Sequence, residues 1–309
     1  MKIYPVMIPT LNRFEHLKRC VESLSANIHA DKTELVIGLD YPPSEKYEYG
    51  YLKIKEYLPT IRGFGKITVF EHKENQGAIK NWQFCEKYCL ENYDAYIATE
   101  DDNEFSPCFL DFMNKSLELY RDDSKVQSIC GFSQSFYNKK DIPFVFCTYD
   151  NSAWGVGFWK HKLSVYKSLN NPADVVNSWK KSFKIFTYLP APMYMLLTMV
   201  RKNRRYGDTM FTINNVLNDT FQIRPKVSLV RNWGNDGTGV NCTKNLKYFQ
   251  KQYISSELYF GNVKTQTILL PSIKRLQFFV GLSNNKLVAY LSAFARLCVY
   301  ILYRFRIIH

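Results

Sequence analysis

Short β-rich apolar runs alternate with segments of helical spacing through the first 132 residues, and this rhythm leaves few folds open. Ile3–Ile8 reads as a strand leading into Pro9-Thr10-Leu11-Asn12-Arg13, after which Phe14, Leu17, Val21 and Leu24 recur at helical intervals. Glu34–Leu39 is a second strand that ends at Asp40 and is stopped by Pro42-Pro43, and Lys66–Phe70 is a third. Gln76–Glu91 has helical spacing, and Asp94–Thr99 is a fourth strand running straight into Glu100-Asp101-Asp102. A helix from Ser106 to Tyr120 and a strand from Val126 to Phe132 continue the pattern. Alternation of this kind predicts an α/β fold, a doubly wound, mostly parallel sheet with helices on both faces. Ligands of such sheets bind beyond the carboxyl ends of the strands. Asn12, Asp40, His72 and the Glu100–Asp102 cluster all follow strands, so they are expected along one rim.

Composition narrows the class. The 309 residues are 46% hydrophobic and 16% aromatic, which excludes a disordered chain or a coiled coil. The net charge of +13 is divided unevenly: residues 1–159 sum to −5 and residues 160–309 to +18. An anionic partner, crowded like charges kept apart, or both are implied. Zinc-finger spacing, a ribonucleoprotein aromatic motif and a helix-turn-helix signature are all missing, so no nucleic acid is expected. The eight Cys form no C-x-x-C pair, and Cys85 and Cys89 stack on one helical face as small core residues. No charged segment followed by an apolar run opens the sequence at Met1. A cytoplasmic location is the expectation, and the N-x-S/T triplets at Asn114, Asn218 and Asn241 are then chance matches.

The second half is less regular. Trp154-Gly155-Val156-Gly157-Phe158-Trp159 is an aromatic and glycine run, Pro190–Val200 is strongly apolar, Tyr206–Asp219 has helical spacing and Lys226–Arg231 reads as a strand. Between Lys286 and His309 an apolar stretch is interrupted by Arg296 and followed by Arg304 and Arg306. A spanning helix needs about 20 apolar residues without a central charge. An amphipathic helix lying on an anionic membrane surface fits better, although a helix packed on the domain remains the alternative. We therefore divide the chain at residues 1–265, a main domain with halves 1–135 and 136–265, and 266–309, a basic amphipathic membrane-associating tail.

Three adjacent carboxylates at a strand end repel one another, and a cation or a helix N-terminus usually offsets that cost. Ser106-Pro107 can cap the next helix without them. A divalent ion, Mg²⁺ or Mn²⁺, bridging Glu100-Asp101-Asp102 to substrate phosphates is the natural partner.

These motifs together resemble the GT-A fold glycosyltransferases: P-T-x-N-R after strand 1, Asp after strand 2, E-N-x-G in mid-domain and E-D-D after strand 4. The likeness is closest to family 2-like bacterial sugar transferases and more distant to the N-acetylglucosaminyltransferase I group. It extends to Pro225–Gly239, similar to the bacterial segment P-x-x-S-L-V-x-N-x-G-x-D-G-S-G. Those transferases continue with His-Cys, where Asn241-Cys242 stands here. The resemblance implies that Pro9, Thr10, Asn12 and Arg13 line the nucleotide pocket, that Asp40 bonds the nucleoside, and that Asn75 and Gly77 approach the donor. Lys80 and Asn81 would reach sugar or diphosphate. Glu100 and Asp101 would orient ribose and sugar, and Asp102 would be the metal ligand. It further implies a base for the acceptor hydroxyl at Asp208, with Asp150 and Asp174 as weaker candidates, and an acceptor platform at Trp154, Gly155, Gly157 and Trp159. Each has a plain alternative, such as a turn at Asp40, a helix cap at Gly207-Asp208 or a core turn at Trp159.

The expected activity is metal-dependent inverting transfer of a sugar from a nucleotide donor, UDP-linked, to a glycan or lipid-linked saccharide in bacterial surface polysaccharide synthesis. The enzyme would sit peripherally on the inner face of the plasma membrane. The rivals are a nucleotide-sugar-forming nucleotidyltransferase, whose N-terminal Gly-rich signature is missing, and a non-enzymatic basic binding module.

Overall fold

The computed structural model describes residues 1–134, 144–163, 171–188, 190–202, 207–238, 252, 254–261, 266–267 and 286–305. β1 (Val6–Thr10), β2 (Glu34–Leu39), β3 (Lys66–Glu71) and β4 (Ala95–Ala98) are joined through α1 (Phe14–Ser25), α2 (Glu48–Tyr57) and α3 (Gly77–Asn92). These four strands lie side by side as β4-β1-β2-β3, and every pairing among them is parallel. Each residue of β2 and β4 is buried, the pattern of strands covered on both faces. Alternation along β1 divides the core. Val6 and Ile8 join Leu17, Val21 and Leu24 of α1 on one face, and Met7 joins Cys85 and Cys89 of α3 on the other. The two cysteines are core residues, as expected. α2 escapes sequence reading because it buries only Tyr51 and Ile54 and so lacks a clear apolar stripe.

Beyond β4 the chain runs through β5 (Asn103–Phe105), α4 (Phe109–Leu119), β6 (Val126–Cys130), β7 (Val145–Thr148) and β8 (Val156–Trp159). Four helices follow: α5 (Pro172–Val176), α6 (Trp179–Tyr188), α7 (Pro190–Lys202) and α8 (Gly207–Asn218). β9 (Phe221–Pro225), β10 (Val230–Asn232), β11 (Gln266–Thr267) and α9 (Lys286–Arg304) complete the described elements. Among the described residues the main sheet has nine strands in the order β11-β7-β9-β6-β8-β4-β1-β2-β3. β8 lies between β4 and β6, antiparallel to both, so the sheet is mixed but mostly parallel. β5 and β10 form a separate antiparallel ribbon that pairs Asn103 with Asn232.

Three expectations change. The expected strand at Lys226–Arg231 survives only as β10, from Val230; β9 ends just before it at Pro225, and residues 226–229 belong to neither strand. The helix expected from Ser106 begins at Phe109, with Cys108 as its capping position and no side-chain cap. β5 intervenes between the acidic cluster and that helix, so the acids are not its cap. The aromatic run ending at Trp159 is β8, an interior strand.

α9 packs against α7. Tyr300 is 1% exposed, its hydroxyl donates to the Val176 carbonyl at 3.3 Å, and its ring meets Trp179 and Phe186 edge-on. Among the described residues no helix is long and apolar enough to cross a membrane.

Candidate active site

The rim beyond β1 and β4 is tied together by Arg13. Its guanidinium donates to Asp102 Oδ2 at 2.8 Å and to Asp101 Oδ1, while the Thr10 hydroxyl donates to Asp101 Oδ2 at 2.8 Å. Burial disfavours the Arg13 charge, but Asp101 and Asp102 outweigh it and hold the guanidinium protonated. Burial likewise pushes Asp101 up, against the pull of Arg13. Thr10 and Arg13 therefore orient the acids, and Asn12 and Pro9 stand half-buried beside them.

The other side of Asp102 is held from the second half of the chain. Asn232, at the end of β10, donates its amide to Asp102 Oδ1 at 2.6 Å and to Asn103 Oδ1 at 3.0 Å. The Trp233 N–H donates to the Asp102 carbonyl at 2.8 Å. Gly234 lies so close that any side chain there would collide with the Asp102 carboxylate. The Trp233 indole N–H reaches Glu104, and Asp236 faces His16 at 3.2 Å. Asn232 stands at the N of the Pro225–Gly239 segment matched in the sequence, but nothing local to it announces a partner 130 residues away. Asn241-Cys242 lies outside the described residues.

Two donor-side expectations are corrected. Asp40 is 3% exposed, and its oxygens accept from the backbone N–H groups of Tyr41, Gln76 and Gly77 and from the Asn75 amide. Its acceptor capacity is filled by fastening the start of α3, which leaves no site for a nucleoside. Asn81 is 2% exposed, and its amide donates to the Gly38 carbonyl at 2.8 Å and the Thr10 carbonyl at 3.4 Å. It joins α3 to the sheet and does not reach a substrate. Asn75, bonded to the Tyr41 carbonyl at 2.6 Å, and Lys80 remain exposed beside the rim. Gly77 has φ +75° with open space where a side chain would go, so it is required by backbone conformation rather than by close packing.

On the acceptor side, Asp208 lies in the first turn of α8 and opens to solvent. The loop after β7 supports it: the Asn151 amide donates to Asp208 Oδ1 at 3.2 Å, and the Ala153 N–H also bonds it. Desolvation by the surrounding protein pushes this carboxyl up to about 6, against the pull of those donors and of Arg224. Arg224, fully buried on β9, donates to Gln222, Gln134 and the Asp150 carbonyl, a cation that no sequence motif announced. Asp150 is buried beside it, and Asp174 is exposed on α5.

The acceptor platform shrinks. Trp159 is fully buried and donates its indole N–H to the Leu117 carbonyl at 2.8 Å, so it is a core residue. Gly155, at φ +67°, and Gly157 are buried too, and side chains there would press on Phe109 and Leu117. Trp154 alone stays partly exposed, its ring edge-on to Phe132.

Glu100 links the two sides. Desolvation, then Asp102, Asp208 and Asp101 in that order, push its carboxyl up to about 8. Among the described residues no hydrogen bond reaches that carboxyl and no three metal-ligating side chains enclose a single point. The carboxyl oxygens of Glu100 and Asp102 are ligands of the kind a hard divalent cation takes, one or two at a time.

The acids thus lie beyond the carboxyl ends of parallel strands, where sheets of this kind bind their ligands. Residues 6–171 match the family profile described as Glycosyl transferase family 2, and the chain belongs to that family. No curated protein matches it. Among solved structures, S. aureus TarS is 12% identical with a TM-score of 0.44, over 76% of this chain and 37% of that one. TarS 1-349 in complex with UDP-GlcNAc is 13% identical with a TM-score of 0.43, over 82% and 62%. The mannosyltransferase PcManGT from Pyrobaculum calidifontis, in complex with GDP-Man and Mn²⁺, is 14% identical with a TM-score of 0.36, over 54% and 46%. The chain thus spans about a third of full TarS and a little under half of PcManGT.

Proposed function

We propose that the chain is a metal-dependent inverting glycosyltransferase that moves a sugar from a UDP-linked donor to a glycan or lipid-linked saccharide in bacterial surface polysaccharide synthesis. The observation that carries this reading is the placement of Glu100-Asp101-Asp102 just beyond β4, with Asp102 held by Arg13 from the first half of the chain and Asn232 from the second.

In this reading Asp102 would hold Mn²⁺ or Mg²⁺ with Glu100 alongside, a cation that neutralises charge growing on the departing nucleoside diphosphate. Arg13 and Asn232 keep the Asp102 carboxylate turned to the rim from either side. Both of its oxygens retain a free lone pair after these bonds. Asp208 accepts the proton of the acceptor hydroxyl as that oxygen bonds to the anomeric carbon and the bond to diphosphate breaks. A carboxyl poised at about 6 is ionised at neutral pH and still basic enough for the task. The partly exposed face of Trp154 suits stacking of an acceptor sugar.

Isothermal titration with UDP, with and without Mn²⁺, is the direct test. UDP binding that requires Mn²⁺ and is lost in Asp102→Asn supports the reading. Binding indifferent to both would sink it, and would favour the non-enzymatic basic module.

A further inference from the structure

The C-terminal helix has two apolar faces, and the domain uses one. Tyr300, with Val299 and Tyr303 on the same side, packs into the core. On the other side Leu291, Phe294, Leu297, Ile301 and Phe305 follow at intervals of three or four residues and are 59, 64, 37, 37 and 66% exposed. At 1.5 Å per residue this stripe is about 21 Å long. A continuous run of large exposed apolar side chains marks a contact surface.

The neighbourhood says what kind of contact. Trp179 of α6, 51% exposed, touches the edge of the Tyr300 ring, and the Arg304 guanidinium sits 5.3 Å above its centroid. Indole and guanidinium together suit the boundary between headgroups and acyl chains. Lys180 on α6 and Arg201 and Lys202 at the end of α7 are exposed nearby in the same helical layer. With Arg304 these are the described basic side chains beside the stripe. A second copy of the chain laid on this face would set basic residues against basic residues. Anionic lipid complements both the charge and the apolar stripe.

We propose that α9 and α6 form a docking face for an anionic bilayer, with the stripe seated among the acyl chain ends and the basic residues on lipid phosphates. This deepens the reading of a lipid-linked acceptor, since α7 packs against both α9 and α8, and α8 begins with the Gly207-Asp208 turn. One helix would thus separate the bilayer surface from the proposed base.

The test is flotation of the full chain with vesicles of phosphatidylcholine, with and without phosphatidylglycerol. The chain should float with the phosphatidylglycerol vesicles alone, and high salt should weaken the association. Phe294→Glu combined with Ile301→Glu should lower the bound fraction by roughly tenfold. Its melting curve and nucleotide binding should stay those of the parent, because both side chains are exposed. The proposal is overturned if the parent chain ignores anionic vesicles, or if the double variant floats equally well. It is also overturned if this face instead holds a dimer that the double variant dissolves. Because nucleotide binding is measured on the same samples, loss of the docking face and failure of the transferase reading give different results.

Discussion

Asp208 combines two properties that rarely meet in an ordinary helix cap. It is open to solvent, yet the protein around it pushes its carboxyl up to about 6. A base works only when ionised, so kcat/KM should rise with pH, level off above about 6 and fall away below it. An unperturbed Asp would place that limb near 4. Asp208→Asn should lower kcat by about 10²-fold or more. Near-normal turnover, or a pH limb unmoved from 4, would return the residue to the role of a cap. At this scale the acids after β4 stand out in the sequence as three carboxylates at a strand end, and in the structure Arg13 meets two of them. Trp159 was not, because an indole in a glycine-rich run can equally stack on a sugar or fill a core. Arg224 was invisible and Asn232 entered only as one position of a matched segment, because their roles exist only once distant strands meet.

The start of α3 depends on a carboxylate and a glycine rather than on a side-chain cap of its own. Asp40 accepts the N–H groups of Gln76 and Gly77, and Gly77 sits at φ +75°. Gly77→Ala should cost about 1 kcal/mol through backbone strain alone, since the space in front of it is open. A urea melt would check this, and an unchanged midpoint would contradict it. Glu34 of β2 binds three elements together, accepting from Thr68 on β3, Tyr88 on α3, Tyr93 after it, and Lys66. Burial alone would raise its carboxyl, but these donors hold it near 2. The stabilisation is therefore complete above the unfolded value of about 4.3 and fades as pH falls toward 2. Glu34→Gln should cost about 2 kcal/mol at pH 7, with the gap to the parent narrowing near pH 3. A gap of equal size at both values would refute the argument. The first four strands and α1 and α3 were legible from periodicity. β7 and β8 were not, because short strands buried on both faces carry no alternation.

Over the whole molecule, the charge division corresponds to two structural provinces: an acidic half with the parallel strands and the donor rim, and a basic half with the helical layer and α9. The sequence read α9 as a tail, yet Tyr300 makes it part of that layer. Removing residues 286–309 should cost at least about 2 kcal/mol from Tyr300 burial alone, read as a lower midpoint in thermal or urea melts. A truncated chain as stable as the parent would show the helix to be only resting there.

The β5–β10 ribbon carries a consequence for the order in which the chain becomes useful. Its pairing of Asn103 with Asn232 joins positions separated by most of the chain, a contact with a high closure cost. The family match ends at residue 171, before either Asp208 or Asn232 has appeared. On the ribosome, a nascent chain of that length would hold the donor-side acids without the clamp on Asp102 or the proposed base. Competence to transfer sugar would then switch on late, after residue 232 clears the exit tunnel and the ribbon zips.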